Sequence, residues 1–402
     1  MCGRSKVTIA WLLGAAIWRL LPAPASRVLA QSAICGQFAD VPSSSVFCPY
    51  ILEAFVTGIT QGTSPSTFAP DDVVSRDQAA TLLARTMDQT LSRAAVRIAI
   101  AKPWNPGSPA GGIATDVGGP VNDIIADATY LWIARGDGKV LKLNAADRRL
   151  LETWTLSSGS PQKLGMFAGQ MWILDEQARL QTFNPSSAPT SPVTLFTSAA
   201  TGVIGGDLTL AFDGANVWMA SSFGPKIFIY PPLGSSGTTI TVGANVDGMI
   251  FDGTYMWVLL ADSTLVKMSP PAQGAPPAAA ETVVLPGAVN DCRMVYDGSN
   301  IWVPVSVTGT LYVVRPSLNQ MSPSLIVQSQ AIPDVAQPFV AAFDGEHVLI
   351  GGSANGAVAL YQATNLSLIG TFPSGAIGVR SIASDGRTFS LGDYLGTRFY
   401  QF

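Results

Sequence analysis

The residues best suited to bind a ligand stand at, or just before, the start of predicted strands. They are Asn122, Asp123, Asp247, Asn290, Asp291 and Arg380. Carboxylate and amide oxygens are the ligands that Ca²⁺ and Mg²⁺ prefer, and a converging set of polar groups could equally hold a sugar. The same residue types are the ordinary choice for turns. The sequence therefore predicts either a ligand or divalent-cation site, provided that these side chains converge, or a set of solvated turns.

Few residues are suited to acid–base or nucleophilic catalysis. The only histidine, His347, lies between two predicted strands, where we expect a surface turn residue. No Gly-x-Ser-x-Gly elbow supplies a nucleophile, and cysteine and histidine are too few for a zinc site. A paired-carboxylate mechanism stays open, because the distance between carboxylates is invisible in a sequence. The sequence thus assigns no catalytic residue and favours a binding protein over an enzyme.

The composition is that of an all-β protein. Only 12% of the 402 residues are charged, 48% are hydrophobic, and 39 Gly and 28 Pro supply many corners. Short strands separated by such turn formers are typical of β-sheet proteins. The net charge of −4 gives no reason to expect a nucleic-acid partner, which requires a basic surface.

Residues 1–30 have the organisation of a signal peptide. Two basic residues precede an apolar run from Val7 to Trp18, and a small-residue pattern ends at Ala30, where we expect cleavage. The apolar run is shorter than the roughly 20 residues that span a bilayer. Arg19 follows it, which weakens the alternative of a retained membrane anchor. We therefore expect a secreted protein of the cell envelope or cell surface, with no transmembrane segment after cleavage.

The cysteines fit an exported protein. Cys35 and Cys48 lie close together in a small segment that would reach an oxidising compartment, so a disulfide between them is expected. Cys292 precedes an apolar strand and is expected to be a buried free thiol.

One stretch, Phe-Asp-Gly-x-x-x-Trp in its fullest form, is repeated seven times. The close copies begin at Ala211, Ile250 and Val295, and the degenerate copies at Ala126, Met166, Phe343 and Ser384. From Asp127 to Asp385 the six intervals average 43 residues. Periods of about 40 to 50 residues with a few short strands each are the mark of a β-propeller. The sequence therefore predicts a mainly β protein dominated by a seven-bladed propeller.

Each repeat contains four strand-length segments, so each blade is expected to have four strands. The last copy ends at Phe402 after its third strand, and Gly112–Gly118 resembles the fourth-strand stretch Thr239–Gly243. We expect this N-terminal piece to supply the missing strand and close the ring. Large rings at equivalent positions are expected to fill the spaces between blades, namely those of Trp132, Trp172, Trp218, Trp257 and Trp302. The repeats resemble those of streptogramin-lyase-like and YncE-like propellers, but a single histidine argues against carrying over the lyase chemistry.

A different pattern precedes the repeats, at residues 34–90. Apolar residues between Val46 and Phe55 follow a helical period, and Ser75 with Gln78 forms a capping box for a second helix. The motifs Phe38–Pro42, Gly58–Gly62, Phe68–Pro70 and Val74–Ala80 resemble an S-layer homology (SLH) module. The resemblance implies a small α-helical unit that binds cell-wall polysaccharide through Ser75, Arg76, Asp77 and Gln78. Only one such module is present, and Gln78 stands where glutamate is usual.

The sequence thus predicts a signal peptide (1–30), an SLH-like module (34–90), a linker (91–110) and a propeller (111–402). The favoured function is an exported envelope protein whose module attaches to cell-wall polysaccharide and whose propeller binds a polymer, protein or glycan. The alternative is a metal-assisted hydrolase or lyase acting on a sugar or lactone with some of Asp123, Asp247 and Asp291. No cofactor is implied beyond Ca²⁺ or Mg²⁺ at the propeller face.

Overall fold

The computed structural model describes residues 34–56, 59–64, 66–75, 78–83, 85–86, 113–127, 129–232, 236–271, 276–317 and 323–402. The expected signal peptide and linker lie outside these residues. Contacts divide the chain into two units, residues 1–89 and residues 90–402. Each unit is described by itself.

The N-terminal unit begins with a hairpin rather than a helix. Strands β1 (Ile34–Cys35) and β2 (Phe38–Pro42) pair antiparallel across Gly36, whose φ of +59° is the left-handed conformation that glycine adopts most readily. Helix α1 (Cys48–Val56) follows, and residues 78–83 and 85–86 are also helical. The module expected to be α-helical is therefore only partly helical, because the first SLH-like motif, Phe38–Pro42, is itself an extended strand.

The core of this unit is built around Phe38. Its fully buried ring meets the rings of Phe55 and Phe68 edge-on, at centroid distances of 5.5 and 5.6 Å. A disulfide joins Cys35 of β1 to Cys48 at the start of α1, with the two Cα atoms 5.6 Å apart. Closing a loop of this length contributes about 3 kcal/mol by restricting the unfolded chain. The hairpin and α1 are therefore held together by a covalent bond and by aromatic packing.

The second unit consists of seven four-stranded antiparallel sheets. Blade 1 is β4–β7 (Val121–Ala126, Tyr130–Arg135, Lys139–Asn144, Leu150–Thr155), and blade 2 is β8–β11 (Pro161–Phe167, Gln170–Asp175, Leu180–Phe183, Val193–Phe196). Blade 3 is β12–β15 (Leu208–Phe212, Val217–Ser221, Lys226–Tyr230, Thr238–Thr241), and blade 4 is β16–β19 (Val246–Phe251, Met256–Leu260, Thr264–Ser269, Ala278–Val284). Blade 5 is β20–β23 (Val295–Tyr296, Ile301–Val305, Thr310–Arg315, Leu325–Ala331), and blade 6 is β24–β27 (Pro338–Phe343, His347–Gly352, Ala357–Gln362, Ser367–Pro373). One helical turn, Ser198–Thr201, follows β11.

Blade 7 is completed from the other end of the propeller. Its strands are β28 (Val379–Ser384), β29 (Phe389–Asp393), β30 (Arg398–Gln401) and β3 (Ile113–Asp116). Ile113 pairs with Gln401, and Asp116 pairs with Arg398. The predicted ring closure and the seven four-stranded blades are therefore confirmed.

The repeated motif forms the corner between the first and second strands of a blade. In blade 3 the Asp213 Oδ1 atom accepts the backbone N–H groups of Ala215 (2.8 Å) and Asn216 (2.6 Å). Its Oδ2 atom accepts the indole N–H of Trp218 at 2.7 Å. One carboxylate thus fixes both the turn and the orientation of the indole ring.

The indole rings pack between neighbouring blades. The five tryptophans predicted for this position are each at most 2% exposed. Trp218 of blade 3, for example, belongs to a buried cluster with Val246 and Val258 of blade 4. In blade 2 an alanine, Ala168, replaces the aspartate, and the Trp172 indole donates to the carbonyl oxygen of Phe167 instead, at 3.0 Å. The expected role of these rings in filling the spaces between blades is confirmed.

Loss of β3 should destabilise the whole ring. A chain that begins at residue 106 keeps β3, whereas one that begins at residue 119 leaves β30 with an open edge. We expect a lower unfolding midpoint for the shorter chain in thermal melts followed by circular dichroism. Equal midpoints would show that β3 does not close the ring.

Loss of a corner carboxylate should destabilise two blades, because the indole that the carboxylate holds packs between them. Asp213→Ala removes the acceptor of several N–H groups at a site that is 8% exposed, and we expect a loss of about 2–4 kcal/mol in unfolding free energy. The matched control is Asp147→Ala, since the Asp147 side chain is 59% exposed; there we expect a change of at most about 0.5 kcal/mol. Denaturant unfolding measures both, and similar losses for the two variants would contradict the structural role of the corner.

Candidate functional site

The first strands of most blades carry an irregularity close to their start. The pairing register shifts between Val121 and Asp123 in blade 1, and at the matching places in blades 2, 4, 6 and 7. A bulge of this kind leaves one residue out of the ladder and redirects its side chain. The residues so placed are Asn122, Gln162, Asp247, Phe339 and Arg380.

These strand starts surround a cavity of about 230 Å³. Its charged lining residues come from five consecutive blades and are Asp123, Lys163, Asp207, Asp247, Asp291 and Arg293. Apolar residues, among them Leu164, Met249 and Met294, form much of the remaining wall. We call this space the axial cavity. It is smaller than the roughly 300–1,000 Å³ of sites for drug-sized molecules, so it suits a compact ligand or one group of a larger ligand.

One ion pair crosses the axial cavity. Arg293 of blade 5 donates through Nη1 to the Asp123 Oδ1 atom of blade 1 at 2.5 Å, and through Nη2 to the Asn122 carbonyl oxygen at 3.3 Å. Asp123 also accepts the backbone N–H groups of Ile124 (2.9 Å) and Leu164 (2.8 Å). Asp123 therefore links three blades and has its charge compensated.

Three further carboxyl groups approach one another on the side formed by blades 3, 4 and 5. Burial, together with the charges of Asp207 and Asp247, raises the pKa of Asp291 from its ordinary value of 3.8 to about 7. Burial and the Asp207 charge likewise raise the pKa of Asp247 to about 6, although a hydrogen bond with the Asp291 side chain opposes the shift. Asp247 is 7% exposed, and its Oδ2 atom has no hydrogen-bond partner among the described residues. This carboxyl group of the axial cavity therefore has an acceptor that the protein leaves unused.

Lys163 lies on the blade 2 side of the axial cavity. Burial and the nearby Arg293 charge lower the pKa of Lys163 to about 7, although Asp123, Asp207 and Asp291 oppose the shift. Within the part of the chain that the structure describes, its ammonium group makes no hydrogen bond and no ion pair. A cation without a partner thus lines the same space as an unused acceptor.

Arg380 of blade 7 reaches the edge of this site. Its Nη1 atom lies 3.7 Å from the Asp207 Oδ1 atom. Its guanidinium carbon lies 5.0 Å from the ring centroid of Phe339 and 4.5 Å from that of Tyr394. These cation–π contacts hold Arg380 in place, so its charge partly compensates Asp207.

The structure brings together some of the residues singled out from the sequence and separates others. Asp123, Asp247 and Asp291 line the axial cavity, and Arg380 borders it. Asn122 instead connects blades 1 and 2, because its Nδ2 atom donates to the Ser160 hydroxyl (3.0 Å) and the Pro161 carbonyl (2.9 Å). Asn290 accepts the hydroxyl of Ser306 at 2.9 Å, so its side-chain oxygen is used within blade 5.

Lys163, Asp207 and Arg293 were not identified from the sequence. A usable signal does exist for two of them. Asp123, Lys163 and Arg293 each stand two residues before the residue that pairs with the blade's tryptophan. An alignment of the repeats on their tryptophans therefore places these three charges at one level of the channel.

His347 is not the surface residue that the sequence suggested. It is 9% exposed, and its Nδ1 atom lies 3.3 Å from the Asp344 Oδ2 atom. Its backbone N–H donates to Asp344 Oδ1 at 2.6 Å. The ring is buried because it occupies the corner position that an asparagine or tyrosine holds in other blades.

In the N-terminal unit, Ser75 and Gln78 form the expected capping box. The Ser75 N–H donates to the Gln78 Oε1 atom at 2.9 Å, and the Gln78 N–H donates to the Ser75 hydroxyl at 3.4 Å. Arg76 and Asp77 lie outside the described residues. Gln78 lines a cavity of about 410 Å³ together with Asp72 and Arg85. A cavity with both polar and apolar lining residues therefore adjoins the stretch assigned to wall binding.

The described residues contain no cluster of three His, Cys, Asp or Glu side chains arranged to hold a metal ion. No helix among them is both long enough and apolar enough to cross a membrane.

Comparison with known proteins identifies the parts of the chain. The family model of the S-layer homology domain matches residues 37–80. Among solved structures, the WD40 beta propeller domain of Doa1 is similar, with a TM-score of 0.57 and 13% identity over 73% of this chain and 96% of that one. At that identity the likeness shows the fold alone. No curated protein matches the sequence. The chain therefore combines an S-layer homology domain with a seven-bladed β-propeller.

The raised pKa of Asp291 predicts how the stability of the folded protein depends on pH. Because the folded protein binds this proton more tightly than the unfolded chain does, the stabilising effect is complete below about pH 4 and is lost as the pH rises through about 7. The amide of Asp291→Asn carries no charge at any pH, so this variant does not lose stability as the pH rises. At about pH 8 its melting midpoint should therefore exceed that of the native chain by a few degrees. The difference should shrink toward about pH 4.

Melting curves across this pH range, with Asp262→Asn as the control, test the prediction. Asp262 is an exposed turn residue of blade 4 that accepts the N–H of Thr264. A difference between Asp291→Asn and the native chain that does not vary with pH would contradict burial of the Asp291 charge.

Proposed function

We propose that this protein is an exported cell-envelope binding protein. Its S-layer homology domain attaches to cell-wall polysaccharide, and its propeller binds a polymer, protein or glycan ligand at the axial cavity. The match of residues 37–80 to the S-layer homology domain carries this proposal. The Cys35–Cys48 disulfide supports export, since such bonds persist in oxidising compartments.

The N-terminal cavity supports attachment to a wall polymer. Gln78, Asp72 and Arg85 supply polar groups to its lining. Among the described residues, the Arg85 guanidinium donates one hydrogen bond, to the Ile59 carbonyl at 3.4 Å. Arg76, two residues before Gln78, adds a second guanidinium in sequence. Guanidinium groups hold carboxylates with two parallel hydrogen bonds, so an acidic substituent of the polysaccharide is the group that we expect to be recognised.

The axial cavity supports ligand binding by the propeller. Buried polar groups are normally satisfied within a folded protein, yet the buried Asp247 Oδ2 atom has no hydrogen-bond partner among the described residues. Lys163, which is partly exposed, lines the same cavity without an ion pair to any described residue. Concave sites with a few convergent polar groups on an apolar wall are the usual form of ligand sites.

The alternative of a metal-assisted hydrolase or lyase has no comparable support. Of its three proposed residues, Asp123 is committed to Arg293 and to two backbone N–H groups. Asp247 and Asp291 do not form, with a third Asp, Glu, His or Cys of the described residues, an arrangement that could hold a metal ion. We therefore favour the binding function.

Sedimentation with purified sacculi of the source organism tests attachment. We expect the full chain to pellet with intact sacculi and to remain soluble with sacculi whose polysaccharide has been removed by acid extraction. Arg76→Ala should lower the pelleted fraction several-fold, because a charge-assisted contact is lost. The control is Arg149→Ala in the propeller, whose side chain is 72% exposed. Equal pelleting of intact and extracted sacculi would overturn the attachment proposal.

A further inference from the structure

We propose that the axial cavity binds a compact zwitterion of the α-amino-acid type, with its ammonium group beside Asp207, Asp247 and Asp291 and its carboxylate at Lys163. This inference rests on the proposed use of the axial cavity as the propeller's ligand site, and it goes beyond the proposed function because the ligand is a small zwitterion and not a polymer, protein or glycan.

The acidic side of the cavity requires a donor that carries positive charge. Asp207, Asp247 and Asp291 come from three blades and converge on one space. Arg380, at 3.7 Å from Asp207, is the one cation within ion-pair distance of these carboxylates among the described residues. Asp247 is nine-tenths buried and has an unused Oδ2 acceptor. An ammonium group offers three N–H donors and relieves the repulsion between carboxylates, whereas a neutral hydroxyl offers one donor and leaves the repulsion in place.

The blade 2 side of the cavity, next to the aspartates, offers a cation that can hold an anion. Lys163 lines the cavity without an ion pair to any described residue. Its neighbour Arg293 is already held by Asp123 at 2.5 Å, so Lys163 is the cation left free for a ligand. A carboxylate placed there would compensate both Lys163 and the positive field of Arg293. An amine alone would leave Lys163 without an ion pair, and a simple carboxylate would leave Asp247 and Asp291 without one.

The size and the walls of the cavity limit the rest of the ligand. A space of about 230 Å³ admits few atoms beyond the two charged groups. Leu164, Met249 and Met294 line it with apolar surface, which suits a small aliphatic side chain. Alanine is therefore the simplest probe.

Isothermal titration calorimetry on the full chain tests the proposal. The probes are L-alanine and D-alanine, with ethylamine carrying only the ammonium group and propionate carrying only the carboxylate. We expect at least one alanine enantiomer to bind about tenfold more tightly than either single-charge analogue. Asp247→Asn and Lys163→Gln should each weaken alanine binding by about tenfold or more, whereas Lys163→Arg should retain most of it. Asp262→Asn, an exposed carboxylate outside the cavity, is the matched control.

Three outcomes would overturn the proposal. Propionate binding as tightly as alanine would make the site a simple anion site, and ethylamine doing so would make it a simple cation site. Alanine binding that is absent at millimolar concentration, or unchanged in Asp247→Asn and Lys163→Gln, would exclude a zwitterion at these residues. Melting curves confirm that each variant is folded. Sedimentation with sacculi is run in parallel, because loss of wall binding refutes the proposed attachment, whereas absence of alanine binding with intact sedimentation refutes only the zwitterion.

Discussion

In the blades that carry both residues, packing depends on the hydrogen bond that the indole N–H of the second strand donates to the corner aspartate. It is 2.7 Å long between Asp213 and Trp218, and it has the same length in the copies built on Asp252 and Asp297. Because the same carboxylate also holds the turn, one side chain sets where the second strand begins and how its ring faces the next blade. Blade-to-blade packing then follows from a local bond that needs no long-range information, which is why the motif can be repeated around a ring.

The corner lies at the end of each first strand, which leaves the start of that strand free to differ from blade to blade. Bulges near Asn122, Asp247 and Arg380 interrupt the ladder there and turn side chains away from the regular pattern. The chemistry of the axial cavity is therefore carried by positions that do not determine the fold. A rigid scaffold with variable residues at one end is the usual arrangement for a binding site.

The fold was predictable because its determinants are local and repeated, whereas the site was predictable only in part. Spacing of the corner motif gave seven blades, and the missing fourth strand pointed to Ile113–Asp116. Lys163 and Arg293 were not predicted as site residues, because a sequence does not show which side chains from distant repeats meet across the channel. Asn122 has the right chemistry but is used to join two blades. The module was expected to be all-helical because periodicity reveals α1, while the two-residue strand β1 is too short to show a period.

Lysines elsewhere in the propeller show what a structural role requires. Lys267 is 5% exposed, and its ammonium group donates to the Ser317 hydroxyl at 2.9 Å, lies 3.6 Å from Glu281 and sits over the Tyr255 ring. Lys142 of blade 1 likewise lies over an aromatic ring and 3.5 Å from Glu152. The fold therefore supplies partners for these two lysines, which distinguishes them from the partly exposed Lys163. A charged side chain without an ion-pair partner is expected where a protein binds a ligand. Lys163 is such a side chain, and it lines the same cavity as the Asp247 Oδ2 atom.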